Sequence, residues 1–168
     1  MRNRAILVCV AIFMTLARAS AETPKWAELR TLIGVTKASP EFRDFVSRYA
    51  LTERPSTMGN AARPDPPFFA NGSGITVILD WDKVVSAVLI SPSPRLDMTL
   101  CFPIPRGEPV TKAAVLSSLE LTEASGENRG VGLRAYYNSA WGVGVMFRND
   151  VLDLLYFYPR KPAPRKLP

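Results

Sequence analysis

The stretch that decides the fold is GVGVMFRNDVLDLLYFYP, Gly142 to Pro159, which reads as two strands around the polar turn Arg148-Asn149-Asp150. The chain contains it twice. The earlier copy is GITVILDWDKVVSAVLISP, Gly74 to Pro92. At a constant offset of 68, Phe68 and Phe69 fall on Tyr136 and Tyr137, Gly74 on Gly142, Val77 on Val145 and Asp82 on Asp150. One residue then drops out at the turn, so that Val84 falls on Val151 and Pro92 on Pro159. A long-period repeat of this kind marks one supersecondary unit used twice.

Working outward, each hairpin is preceded by a short strand and a helix. Ser39-Pro40-Glu41 joins an N-cap, a first-turn proline and a first-turn acid. Phe42, Phe45, Val46 and Tyr49 follow at helical spacing, which predicts a helix over 39–50. Before it, Trp26, Leu29 and Ile33 suit a helical turn or short helix. The proline-rich segment from Thr52 to Pro67 reads as loop. In the second copy Thr111 caps a helix whose Val115, Leu116 and Leu119 match Phe45, Val46 and Tyr49 at an offset of 70, although the two caps differ by 72. A polar loop over Thr122 to Gly132 leads to the second meander. The expected fold is α+β: two tandem repeats, about 26–92 and 93–159, of a helix followed by an antiparallel β-meander, with the helices packed on one face of the sheet.

Strand alternation divides each hairpin into two faces. Ile75, Val77, Leu79, Val85, Ala87 and Leu89 point one way, as do Val143, Val145, Phe147, Leu152, Leu154 and Tyr156, and this face is expected to meet the helices. The opposite face carries Met146, Arg148, Asp153, Leu155 and Phe157. It is half apolar, whereas a solvated face of an antiparallel sheet is ordinarily polar. Such a face is either covered or offered to a partner.

Residues 1–21 have a basic start, an apolar run from Ala5 to Leu16 and Ala-Ser-Ala at 19–21, the pattern of a cleaved signal peptide. The run falls short of the roughly 20 residues that a membrane span needs. The expectation is an exported protein, periplasmic or secreted, with a single domain over 22–159 and a basic, proline-rich tail over 160–168. Cys101 is then the one cysteine left, within MTLCFPI, and suits a buried small hydrophobe. The net charge of +6 resides in the two ends, since Glu22 to Pro159 holds 14 basic and 15 acidic side chains. A near-neutral body argues against a nucleic-acid partner.

The chain has no histidine. Serine-histidine and cysteine-histidine catalysis are thereby excluded, and no Walker loop or dinucleotide fingerprint is present. Asp80-Trp81-Asp82 could in principle hold a cation or work as an acid/base pair, but aspartates at a hairpin tip are ordinary turn chemistry. The reading is a binding protein, not an enzyme, with no cofactor and no metal. Aromatic residues beside arginines have the composition of interface hot spots. The candidate partner-binding residues are Trp81, Arg134, Trp141, Met146, Arg148, Asp153, Leu155 and Phe157.

The twofold helix and β-meander, with VTKAAVLSSLEL as the short capped helix and GVGVMFRNDVLDLLYFYP as the closing hairpin, resembles the tandem units of the β-lactamase inhibitory protein family. The single unit is similar to the SmpA/OmlA family of small outer-membrane assembly lipoproteins. The resemblance implies a sheet face offered to a partner protein. It therefore points to an exported module of the inhibitor or immunity type, neutralising or holding a protein such as a toxin or hydrolase. The alternative is an envelope structural or assembly factor that contacts outer-membrane machinery or peptidoglycan. A homodimer through the same face is compatible with either.

Overall fold

The structure, a computed structural model, describes residues 22–55, 66–105, 107–123 and 132–160. The expected signal peptide and most of the basic tail lie outside the described residues. The chain is α+β. Its elements are α1 (Trp26–Leu32), α2 (Pro40–Arg48), β1 (Thr52–Arg54), β2 (Phe68–Ala70), β3 (Ile75–Leu79), β4 (Val85–Ile90), a 3-10 turn (Met98–Cys101), α3 (Lys112–Ser118), β5 (Thr122–Glu123), β6 (Leu133–Asn138), β7 (Val143–Arg148) and β8 (Val151–Phe157). All eight strands form one antiparallel sheet in the order β1-β2-β3-β4-β8-β7-β6-β5. Two four-stranded meanders thus meet edge to edge at β4 and β8.

The two longer helix–strand connections are built alike. Ser39 Oγ accepts from the Phe42 N–H at 3.1 Å and caps α2, with Pro40 in its first turn. Thr111 Oγ1 accepts from the Ala114 N–H at 3.2 Å and caps α3. At the far ends Ala50 and Glu120 adopt left-handed φ values of 49° and 48°. The N–H groups of Leu51 and Leu121 then reach back to Val46 O at 2.9 Å and Leu116 O at 3.1 Å. This is the Schellman arrangement, which satisfies carbonyls that a helix end leaves orphaned. The two N-caps differ by 72 and the two C-termini by 70 because α3 has seven residues where α2 has nine.

Each left-handed residue turns the chain into an edge strand, and these two strands correct the loops expected at Thr52–Pro67 and Thr122–Gly132. Thr52 Oγ1 donates to Ala70 O at 3.1 Å, and Thr122 Oγ1 donates to Tyr137 O at 3.2 Å. An asparagine then ties each helix end to the following turn. Asn71 Nδ2 donates to Tyr49 O at 2.7 Å, and Asn138 Nδ2 donates to Leu119 O at 3.0 Å. The register also moves the two expected aromatic matches by one residue. Phe69 lies opposite Val77 and Tyr136 opposite Val145, so Tyr136 stands where Phe69 does, not Phe68. The second β-turn is one residue longer.

The faces of the long hairpins need a larger correction. A β-bulge interrupts the first between Ile78 and Leu79, leaving Ser86 without an opposite residue, and the second between Met146 and Phe147, leaving Asp153 without one. An extra residue on one strand inverts the alternation beyond it. Val88 and Ile90 therefore point inward, and Ala87 and Leu89 outward. In the same way Leu155 and Phe157 are 0% and 1% exposed, while Leu154 and Tyr156 lie on the other face. Burying Leu155 and Phe157 contributes roughly 2 kcal/mol each, which fixes the bulged register over a regular one.

The buried cluster joins Leu29 and Leu32 of α1, Phe42 and Phe45 of α2, and Val115 and Leu119 at α3 to Ile75, Val77, Leu79, Val143, Val145 and Phe147 of the sheet. Cys101 is fully buried in it, as its sequence context suggested. Its Sγ faces Pro24 O at 3.5 Å, and burial pushes the thiol pKa up to about 12, so it remains a neutral apolar group. Glu28 joins α1 to α2 by accepting from Arg48 Nη1 at 2.8 Å and from the Tyr49 hydroxyl at 2.6 Å.

Candidate functional site

The outer face of the sheet is assembled from residues opposite one another in the register. Phe68, Ile78 and Ala87 form one row, and Ala70, Thr76, Leu89, Tyr156, Gly144 and Tyr137 form the next. Met146 and Leu154 extend it in the second half. Most of these side chains retain part of their surface in solvent, and Tyr137 is 38% exposed. Gly144 is the exception. It is buried against the phenol end of Tyr156, where a Cβ would collide with the ring's Cζ and the hydroxyl oxygen. The Tyr156 and Tyr158 rings stack at 5.9 Å, and burial raises the Tyr158 pKa above the ordinary tyrosine value. Away from Arg148 and Asp153 at the β7–β8 turn, the face is a nearly continuous aromatic and aliphatic surface.

The structure divides the sequence-predicted site into three groups. Met146 is on the outer face. Arg148 and Asp153 lie beside it near the β7–β8 turn and pair with each other, Nε to Oδ1 and Nη2 to Oδ2, both at 3.3 Å. Arg134 is exposed near the same end of the sheet and pairs with Glu123 at 3.4 Å. Trp81, 49% exposed on the β3–β4 turn, and Trp141, partly buried ahead of β7, stand at the opposite end of the second hairpin from Arg148. Leu155 and Phe157 are core residues and are corrected accordingly: the Asp153 bulge turns them away from the outer face. Leu154 and Tyr156 take their place.

Asp80 performs the turn chemistry expected of it. Its Oδ1 accepts from the N–H groups of Asp82 at 3.0 Å and Val84 at 2.9 Å, so that carboxylate oxygen is committed to the hairpin. Among the described residues, no group of three or more histidine, cysteine or acidic side chains is placed to hold a metal ion. No helix among them is long and apolar enough to cross a membrane.

A second concave feature lies where α1 meets the end of β8. Arg30, Ile33, Gly34, Trp141, Gly142, Phe157, Tyr158, Pro159 and Arg160 surround a cleft of about 310 Å³. No local pattern joins Arg30, on a short helix, to Arg160, at the start of a basic tail. The pairing of Trp26 with Arg30 one helical turn later was the available signal. Another cleft, of about 370 Å³, is lined by Lys112, Gly132, Arg134, Phe147, Asn149 and Asp150, and its Lys112–Asp150 ion pair raises the lysine pKa and lowers that of the aspartate.

No family model matches the chain, and neither a curated protein nor a solved structure matches it.

Proposed function

We propose that the chain is an exported protein-binding module of the inhibitor or immunity type, and that it holds its partner on the outer face of the sheet. The observation that carries this reading is the row Leu89, Tyr156, Gly144 and Tyr137, continued by Ile78, Met146 and Leu154, apolar where a solvated sheet face would be polar. Internal duplication accounts for the matching helix ends, asparagine ties and bulges. In this reading the helices of both repeats pack on the inner face and leave the outer face free. Export follows from the leader-like sequence of residues 1–21.

The test is a pull-down from periplasmic extract with the wild-type chain and with Met146→Arg/Tyr137→Asp. One specific protein recovered by the wild type and lost with the variant, at unchanged melting temperature, is the expected outcome. Equal recovery by both chains, or recovery of nothing specific, contradicts the reading. A wild-type dimer that the variant dissolves in sedimentation would assign the face to a second copy.

A further inference from the structure

We infer that the cleft between α1 and the end of β8 is a binding site for a small carboxylate that bears an apolar or aromatic group. This site is separate from the outer sheet face and does not depend on the function proposed for that face. Arg30 brings its guanidinium carbon to 5.9 Å from the Trp26 ring centre and 6.0 Å from that of Trp141. Two flanking indoles hold the planar group in place at the edge of the cation–π range. Trp26 is itself fixed by Phe157, whose ring centre lies 5.0 Å away. Arg160 lines the same cleft beside Gly142 and brings a second arginine to it. Among the described residues neither arginine joins an ion pair, although five other pairs form.

The chemistry of the wall selects the ligand. The N–H groups of Gly34, Trp141 and Tyr158 are already donated to Val85 O, Asn138 O and Gly142 O, and Pro159 has none. These four positions therefore offer no run of free backbone donors of the kind that cradles phosphate. The cationic donors among the cleft's lining residues are two arginines, whose planar forks match a carboxylate. Phe157 and Trp141 supply the apolar wall. A volume of about 310 Å³ is at the lower end for ligand sites, enough for one aromatic or branched aliphatic acid.

The probe is N-acetylphenylalanine titrated into the whole chain, followed by tryptophan fluorescence, with N-acetylphenylalaninamide and inorganic phosphate as controls. The acid is expected to saturate, with the amide and phosphate at least about tenfold weaker. Arg30→Met and Arg160→Met should each weaken it about fivefold or more, and Arg30→Lys should lie between wild type and Arg30→Met, all at unchanged melting temperature. N-acetyl-Ala-Ala-Phe separates two sources of the same chemistry. Tighter binding than the single amino acid marks the end of a peptide chain as the ligand, and equal binding marks a free acid. Equal affinity for the amide or for phosphate, indifference to both arginine substitutions, or no saturation at tens of millimolar would overturn the inference.

Discussion

The two halves of the sheet end in corresponding corners that are filled differently. In the first, Gly74 at φ +101° sits against the Ser91 carbonyl, the Leu96 side chain closes over it, and Ser93 Oγ donates to Ser73 O at 2.7 Å. In the second, Gly142 at φ +66° sits against the Tyr158 carbonyl in the same way, but Trp141 stands at the place of Ser73 and Arg160 at that of Ser93. The Ser91 N–H reaches Gly74 O at 2.8 Å, and the Tyr158 N–H reaches Gly142 O at 2.9 Å. The backbone is the same device in both. What differs is that small polar groups seal one corner, whereas an indole and two arginines leave the other open. The scaffold and the site are separable, because the backbone turn tolerates either filling.

Substitutions that test the shared backbone should have the largest effects. Gly74→Ala and Gly142→Ala each force a side chain into a left-handed conformation and onto a backbone carbonyl, and each should cost about 3 kcal/mol in urea unfolding. A loss in one corner alone would break the comparison. Next comes the pair Gly144–Tyr156, whose counterpart in the first half is Thr76–Leu89. Gly144→Thr should cost about 2 kcal/mol by driving a side chain into the tyrosine ring, and Gly144→Thr/Tyr156→Leu should recover most of it. Additive losses in that double-mutant cycle would mean that the two pairs are not interchangeable.

Asn71→Ala and Asn138→Ala should each cost about 1–2 kcal/mol. Each side chain makes three hydrogen bonds, but those of Asn71, at 2.7, 2.9 and 3.1 Å, are shorter than those of Asn138, at 3.0, 3.2 and 3.3 Å, so Asn71 should cost slightly more. The smallest effect is confined to alkaline pH. Burial, then the bond to Glu28, raises the Tyr49 pKa well above 10, and burial pushes Cys101 up to about 12. An acid whose folded pKa exceeds its unfolded value contributes stability in full below the unfolded pKa and loses it as pH rises beyond. The Cys101 contribution should therefore fade between pH 9 and about 12, and that of Tyr49 from pH 10 upward. Leu119 occupies the place of Tyr49 in the second half, so amide exchange should quicken in α1 and α2 before α3, and Tyr49→Phe should reduce the difference.

The duplicated spacing of glycines and prolines around the long hairpins was legible in the sequence because turns depend on local residue types. So were the two capped helices, through Ser39 and Thr111. The bulges were not. Ser86 and Asp153 are ordinary strand residues locally, and only the inward packing of Val88, Ile90, Leu155 and Phe157 decides that they are the ones left unpaired. Strict alternation therefore assigned Leu155 and Phe157 to the surface. The edge strands were obscured by the proline-rich and polar segments beside them, although Leu51-Thr52 and Leu121-Thr122 recur at the same offset as the helix ends. Of the candidate site, Trp141 and Met146 were accessible to sequence reasoning. Arg30 was not, since its relation to Trp141 exists only once α1 is laid against the end of β8.

The direct test of two equivalent corners with different contents is an amide-resolved NMR titration of the whole chain with N-acetylphenylalanine. Saturable shifts confined to Gly34, Gly142, Arg160 and the Trp141 indole, with Gly74, Ser91 and Ser93 unmoved, are the expected result. Equal shifts at both corners, or none at the Trp141 corner, would contradict it.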